Sequence, residues 1–138
     1  MLTRMAASVH SVDGHRLECI QACLDCARIC NTCGDEITGL EMPEEEVERH
    51  LRIRCIRLCR DCADICILAA QWMGRTSACD VRLCAFCIEM RELCAGVCEQ
   101  RAPHQAMCGE CAKECRRCAE LCHKMVLESV PSSTGGTA

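Results

Sequence analysis

Cysteine is the residue type in this sequence that could do chemistry. There are 19 cysteines among 138 residues, accompanied by one Phe, one Trp and no Tyr. The first five are separated by alternating steps of four and three residues, so on a helix they fall within an arc of roughly 80°. These five are Cys19, Cys23, Cys26, Cys30 and Cys33. Such a row of thiols on one helix face could bind soft metal ions.

Three later segments carry the same stripe. The second and fourth stripes consist of Cys55, Cys59, Cys62, Cys66, Cys108, Cys111, Cys115, Cys118 and Cys122. The third contains Cys84, Cys87, Cys94 and Cys98, with Cys79 off the stripe near the start of the segment. Arg91 stands where this third stripe should continue, and an arginine facing a sulfur core is costly unless it is paired. We therefore expect Arg91 to snorkel toward one side, or the third helix to be locally irregular.

Metal binding explains these stripes better than packing or disulfides do. Cysteine can act as a small hydrophobic residue, but Leu or Ala would fill a core without the risk of oxidation. Cβ atoms at positions i and i+4 of a helix are about 5–6 Å apart, whereas a disulfide needs about 3.5–4.5 Å. A metal ion held between two sulfurs bridges the wider gap. We interpret all 19 cysteines as candidate metal ligands.

The spacing favours Cu(I) over other metals. Structural zinc usually takes four ligands from CxxC knuckles on turns, often completed by His, and iron–sulfur clusters typically use a different cysteine run that ends in Pro. Soft Cu(I) accepts two or three thiolates and tolerates shared sulfur. Unshared pairs would hold about nine ions per chain, and bridging sulfurs would bring the number toward one ion per thiol. A metallothionein-like Zn(II) or Cd(II) buffer remains the alternative.

Residues 1–16 bear on where the protein resides. Cysteine density of this kind in a small secreted protein is typical of a disulfide framework. Here the first residues contain no apolar h-region, no twin-arginine pair and no small-residue cleavage site, and an odd number of cysteines cannot be fully paired within one chain. No apolar run approaches the length of a membrane span. We therefore predict a cytoplasmic protein with no membrane partner.

Charge and composition argue against two other function classes. The net charge is −4 and the pI is near 5.7, whereas nucleic-acid binding needs a basic face, so we predict no nucleic-acid partner. A thiol oxidoreductase would need a CxxC motif at a helix N-terminus within a βαβ unit. The sequence predicts no strands, and we predict that the protein is not an enzyme.

Chain breakers divide the sequence into four helical segments. Gly34, Gly39 and Pro43 interrupt the first long segment, Gly74 and the three residues after it follow the second, and Pro103 follows the third. The predicted helices span residues 12–38, 44–73, 77–100 and 104–128. Short connections make consecutive helices antiparallel, which predicts an all-α, up-down-up-down four-helix bundle with a cysteine-lined core. Residues 1–128 form this single domain, and residues 129–138 form a disordered tail.

Two helix starts have recognisable signals. Ser77 is a plausible N-cap for the third helix. Pro43 followed by three glutamates makes a strong start for the second helix, because carboxylates are favourable in the first turn.

One end of the predicted bundle gathers possible weaker copper ligands. The up-down topology brings the first and third connections to the same end. Met42, His50, His104 and Met107 lie there. Thioethers and imidazoles bind Cu(I) more weakly than thiolates and exchange it more easily, so these four residues are candidates for admitting copper to the core.

Apolar residues flank the cysteine stripes as well. Leu17, Ile20 and Leu24 flank the first stripe, and Ile56 and Ile65 flank the second. The apolar band is therefore wider than the cysteine seam. This surplus can be buried against neighbouring helices or against another subunit, and we expect a homo-oligomer.

The segments CIQACLDCARICNTC, HLRIRCIRLCRDCADIC, LCAFC and MCGECAKECRRCAELC resemble the bacterial cytosolic copper storage proteins over about residues 16–126. The resemblance implies a four-helix bundle, a tetramer, that binds many Cu(I) ions through core cysteines and admits them at an end bearing His and Met. His50 matches a histidine of that end, whereas His104 and Met107 correspond only loosely. Arg91 stands where the family usually has cysteine, which implies that one site on the third helix is lost or rearranged.

Overall fold

A computed structural model describes residues 14–129, and these residues form four α-helices joined by short connections. The helices are α1 (Gly14–Thr38), α2 (Glu46–Gly74), α3 (Asp80–Arg101) and α4 (Ala106–Ser129). Over the described range there is no strand, which confirms the predicted all-α class. No helix in residues 14–129 is both long and apolar enough to cross a membrane. Ser129, the first residue of the predicted tail, belongs to α4, and residues 130–138 of that tail lie outside the described residues.

The helices form an antiparallel ring around one core. Helix α1 packs against α2 and α4, and α3 packs against the same two helices. Cys33 near the end of α1 lies 3.8 Å, sulfur to sulfur, from Cys108 near the start of α4. Cys55 near the start of α2 lies 3.7 Å from Cys98 near the end of α3. These contacts confirm the up-down-up-down bundle.

The start of α2 agrees with the glutamates that predicted it. Glu45 is the N-cap, and its carboxylate accepts hydrogen bonds from the backbone N–H groups of Val47 at 3.2 Å and Glu48 at 2.8 Å. Glu46 and Glu48 lie in the first turn, where the positive end of the helix dipole favours carboxylates. The helix begins two residues later than predicted, because Glu45 caps it.

The predicted N-cap of the third helix is wrong. Helix α3 begins at Asp80, with Cys79 in the N-cap position and no side-chain cap. Ser77 belongs to the preceding turn: its backbone N–H donates to the carbonyl of Trp72 at the end of α2. Thr76 in this turn has a left-handed backbone conformation, with a φ of 48°. Because the turn continues to this point, α3 begins three residues later than predicted.

Sulfur fills most of the core. Every cysteine except Cys79 has no exposed surface. Alanines such as Ala63 and Ala95 complete the packing, while the sole phenylalanine, Phe86, is 53% exposed. Small side chains of this kind let helix backbones approach closely, so the thiols of facing helices come within reach of one another.

Candidate metal centre

The core is a column of sulfur atoms, because each antiparallel helix brings its cysteine stripe to the same axis. The connection end, where α1 leads into α2 and α3 leads into α4, holds the first group of thiols. The sulfurs of Cys33, Cys55, Cys59 and Cys98 there all lie within 4.8 Å of one another. Residues from three helices thus form one potential metal site.

Three further groups of four thiols continue the column with the same mutual spacing. They are Cys59, Cys94, Cys98 and Cys111; Cys30, Cys94, Cys111 and Cys115; and Cys26, Cys30, Cys62 and Cys115. Each group shares two sulfurs with the next, so the four groups together use ten cysteines. We call these ten residues the sulfur chain: Cys26, Cys30, Cys33, Cys55, Cys59, Cys62, Cys94, Cys98, Cys111 and Cys115.

The gaps between sulfurs in the chain have the size of a metal site. The sulfur of Cys30 lies 3.6 Å from that of Cys111 and 3.7 Å from that of Cys115. A metal–sulfur bond is about 2.3 Å long for zinc, so three sulfurs around an ion of similar size stand about 4.0 Å apart. The helices therefore hold the thiols at ligand spacing, and metal uptake requires only small side-chain adjustments.

The remaining core cysteines extend the column at both ends. Cys108 joins the connection end through Cys33. Toward the opposite end, which we call the distal end, Cys66 and Cys87 are 3.9 Å apart, and Cys23 and Cys118 are 4.0 Å apart, sulfur to sulfur. These four lie one on each helix. Cys84 is also buried on α3.

Arg91 lies inside the sulfur column. Its side chain has no exposed surface, and its Nη2 donates a hydrogen bond to the sulfur of Cys23 at 2.7 Å. Helix α3 runs unbroken through this residue, so the expected irregularity is absent, and the guanidinium does not snorkel to solvent. It points along the axis toward the distal end, as the tilt of helical side chains toward the N-terminus dictates.

The sulfurs around Arg91 stabilise its charge. Burial alone would lower the pKa of Arg91, but the electrostatic interaction with Cys23, Cys66, Cys118 and Cys87 outweighs burial and raises this pKa above its ordinary value. We call these four residues the arginine layer. The guanidinium is thus a permanent positive charge within the core.

Two predicted ligands at the distal end are joined covalently. Cys19, near the start of α1, forms a disulfide with Cys122 of α4. It connects two helices, and so differs from the intrahelical pairs that the sequence analysis judged unfavourable. Their sulfurs form a group with that of Cys23, all within 4.8 Å of one another. Cys19 and Cys122 would have to be reduced to bind metal as thiolates, so their role as ligands stays a prediction.

Cys79 is the one cysteine of the described residues that lies outside the buried core. It is exposed at the start of α3. It belongs to none of the metal-sized thiol groups found in residues 14–129. The sequence already distinguished Cys79 from the other cysteines, because it does not follow the helical spacing of the third stripe.

Several core thiols bind their protons tightly. Burial is the main cause that raises the pKa of Cys84, from 9.0 to about 12. The hydrogen bond with Cys111 is the largest cause that raises the pKa of Cys94. A metal ion that binds such thiols must displace their protons.

The predicted copper-admitting residues lie at the connection end. Met42, His50 and His104 are exposed, and Met107 is half-buried against the core. Met42 and His50 lie beside the start of α2, and His104 and Met107 lie beside the start of α4. Met42 and His104 lie on the two connections at this end of the bundle, and His50 and Met107 lie near the starts of the helices that follow them.

Comparison with known protein families decides the identity of this bundle. The model of the copper storage protein family matches residues 12–127. The chain belongs to the copper storage protein family. An uncharacterised cysteine-rich protein of Bacillus subtilis, YhjQ, is 41% identical over 107 residues, which cover 78% of this chain and 92% of that protein.

Solved structures of copper storage proteins share the fold. The Cu(I)-bound copper storage protein BsCsp3, from Bacillus, is 36% identical, with a TM-score of 0.72 over 81% of this chain and 98% of that one. A cytosolic copper storage protein from Streptomyces lividans with five coppers is 27% identical, with a TM-score of 0.72 over 85% of this chain and 95% of that one. A further Streptomyces lividans structure, of a copper storage protein loaded with 10 copper equivalents, has a TM-score of 0.73, 28% identity and coverage of 85% and 88%.

Charged residues close both ends of the column in this copper storage protein, and the sequence analysis missed them. At the connection end, Arg101 is 2% exposed and donates to Glu48 at 3.3 Å, and the buried Arg52 donates to the backbone carbonyl of Glu41. Their positions carried a signal, because Arg52 precedes Cys55 by three residues and Arg101 follows Cys98 by three. Both therefore continue the helical phase of the cysteine stripes.

The distal end is closed by an ion pair. Asp80, only 3% exposed, accepts hydrogen bonds from Arg16 at 3.0 and 3.2 Å. Arg16 precedes Cys19 by three residues and Asp80 precedes Cys84 by four, so both also lie on extensions of the stripes. A position that continues the three- and four-residue spacing of a cysteine stripe is therefore predicted to be buried, even when its residue is charged.

Proposed function

We propose that this protein stores Cu(I), with many ions bound to core thiolates in each chain. The sulfur chain carries this proposal: ten buried thiols stand at ligand spacing, and neighbouring groups share sulfurs. Shared sulfurs suit Cu(I), which accepts two or three thiolates and tolerates bridging. Membership of the copper storage protein family and the copper content of the related Bacillus and Streptomyces structures support it.

A zinc buffer fits this geometry less well. Zinc in structural sites takes four ligands in a tetrahedron. The ten sulfurs of the chain would supply only two such sites with separate ligands. The overlap of adjacent groups therefore favours the ion with the lower coordination number.

We assign the ligand role to the 18 buried cysteines and leave Cys79 aside. Each of the 18 has no exposed surface, and Cys79 is exposed. Cys19 and Cys122 join this set in their reduced state. A buried thiol has no surface to offer a substrate, which supports a storage role over an enzymatic one. The related Streptomyces protein is cytosolic, and we propose the same location for this chain.

Copper admission at the connection end is part of this proposal. His50 and His104 are exposed there, and Met107 packs against the core. Weak, exchangeable ligands at the mouth would pass Cu(I) inward to the tighter thiolates. Replacing both histidines, in the variant H50A/H104A, should slow Cu(I) uptake from a chelate without changing the final copper count. The exposed His123, near the end of α4, provides the control H123A. Equal uptake rates in all three proteins would contradict this role.

We also propose a homo-oligomer, a tetramer by resemblance to the family. Ile20 and Ile56 pack on the core as expected, but Leu17 is 57% exposed and Leu24 is 44% exposed. A groove between α2 and α3, lined by apolar side chains that include Leu68 and Phe86, adds to this apolar surface. Such area is typical of an interface with another copy of the chain. Light scattering after size exclusion would give the mass, and a monomer would contradict the proposal.

The decisive experiment is an anaerobic titration of the fully reduced, copper-free protein with Cu(I) against a tight chelator. We expect many equivalents of tightly bound Cu(I) with unchanged circular dichroism, because the bundle already holds the thiols at ligand spacing. A parallel Zn(II) titration is the comparison. Binding of only a few Cu(I) ions, or stronger loading by Zn(II), would move the assignment to a zinc buffer.

A further inference from the structure

Arg91 is the feature of the core that copper binding through thiolates leaves unexplained. A fully buried arginine is expensive unless its donors are satisfied. Only Nη2 has a hydrogen-bond partner, the sulfur of Cys23. Nε and Nη1 are buried without a partner. The copper-free core therefore contains a cation with unused donors, surrounded by thiols.

The arginine layer also interrupts the column of metal-sized sites. The four thiol groups of the sulfur chain extend from the connection end as far as Cys26 and Cys62. Among the described residues, no metal-sized group lies within the arginine layer, although each of the four helices contributes one cysteine to it. The next metal-sized group toward the distal end consists of Cys19, Cys23 and Cys122, and it shares Cys23 with the layer. The guanidinium thus occupies the gap between the two parts.

A guanidinium and a Cu(I) ion interact with sulfur atoms in similar ways. Each carries one positive charge, and each can bind sulfur: Arg91 does so by N–H donation to Cys23, and Cu(I) does so by coordination. Two thiols that bind one Cu(I) ion lose two protons, which leaves a site with a net charge of −1. In a core of low dielectric, such a site needs a nearby cation, and Arg91 provides one.

We propose, on the basis of the storage function above, that the Arg91 guanidinium takes the place of one Cu(I) ion in the core. Its charge and its hydrogen bond to Cys23 serve the sulfurs of the arginine layer, so this layer binds fewer copper ions than four thiols otherwise could. The store is consequently divided into the sulfur chain and a smaller distal site. The guanidinium occupies the space between the sulfurs of the layer, so a copper ion cannot take the same position.

Copper counting by native mass spectrometry tests this inference. The reduced protein is saturated anaerobically with Cu(I), and wild type is compared with R91L and R91K. Leu removes the charge without adding an atom that could bind Cu(I), whereas Lys keeps the charge. We expect R91L to bind about one more Cu(I) ion per chain than wild type, and R91K to match wild type. The exposed Arg116, which pairs with Glu99 at 2.9 Å, provides the control R116M, whose count should not change.

Equal copper counts for folded R91L and wild type would overturn the inference. If R91L does not fold, the copper positions in a crystal of the loaded wild-type protein decide, by anomalous scattering. We expect no copper ion between two sulfurs of the arginine layer, although Cys23 can share an ion with Cys19 and Cys122 in the distal site. An ion that joins two sulfurs of the layer beside the guanidinium would overturn the inference. Failure of the storage function would look different, because wild type itself would then bind few ions.

Discussion

At the scale of single residues, Arg91 imposes a cost on the copper-free protein. Two of its nitrogens are buried without partners, and each unsatisfied buried donor costs about 1–3 kcal/mol. Replacing a buried charge with an apolar side chain of similar length is often neutral or stabilising. The residue is therefore not explained by the stability of the empty bundle.

The stability of R91M checks this cost. We expect the reduced, copper-free variant to be more stable than wild type by about 1–3 kcal/mol, because the unsatisfied donors disappear. Urea unfolding followed by circular dichroism measures the difference. The control R116M, at an exposed site, should stay within about 0.5 kcal/mol of wild type. A clear loss of stability in R91M would show that the guanidinium is better satisfied than its contacts indicate.

Cys84 makes the stability of the empty bundle depend on pH. Burial raises its pKa from 9.0 to about 12, so the folded state binds this proton more tightly than the unfolded state does. The resulting stabilisation is fully present below pH 9 and is lost as the pH rises toward 12. We expect the urea midpoint of the reduced protein to fall over this range, and to fall less steeply in C84A. An identical pH dependence in the two proteins would contradict the assignment to Cys84.

At the scale of helices, the sequence predicted the elements well. Gly and Pro residues predicted the ends of the four helices to within about three residues over the described range. They did so because each acts on the backbone near its own position. The cysteine stripes likewise predicted the core, since helical phase alone decides which face is buried. The start of α3 was mispredicted because Ser77 hydrogen-bonds to the end of α2, a contact that a search for N-cap residues does not include.

The grouping of thiols could not be predicted in the same way. Whether Cys30 meets Cys94 or Cys98 depends on how far neighbouring helices are shifted along their axes. That shift is set by packing between distant segments. The same non-local packing brings Cys19 to Cys122 and aims Arg91 at Cys23. Sequence phase indicates which side chains face inward, and only the assembled bundle decides which of them touch.

The N-cap of α2 gives a prediction at this scale. Glu45 accepts two backbone hydrogen bonds, so E45A should destabilise the bundle by about 0.5–2 kcal/mol. Urea unfolding is again the measurement. The neighbouring exposed Glu44, whose side chain does not cap the helix, supplies the matched variant E44A. Equal stability of the two variants would mean that the cap contributes nothing.

At the scale of the whole molecule, copper binding and folding are coupled. The thiols stand at ligand spacing only in the folded bundle, so Cu(I) should bind the native state far better than the unfolded chain. A single site at a thousandfold excess of free ligand over its Kd adds about 4 kcal/mol. We expect Cu(I) loading to raise the thermal midpoint progressively with each added equivalent. Zn(II) in the same amounts is the comparison, and an unchanged midpoint with Cu(I) would contradict the coupling.

The stacked arrangement of thiols also determines how such a store could grow. Steps of three and four residues add two cysteines per helix for every seven residues, so lengthening all four helices by two turns would add about eight thiols around the same axis. The width of the bundle, the helix crossings and the two ends would stay as they are. The number of copper ligands is therefore proportional to the length of the helices. A larger store requires a longer bundle but no new fold.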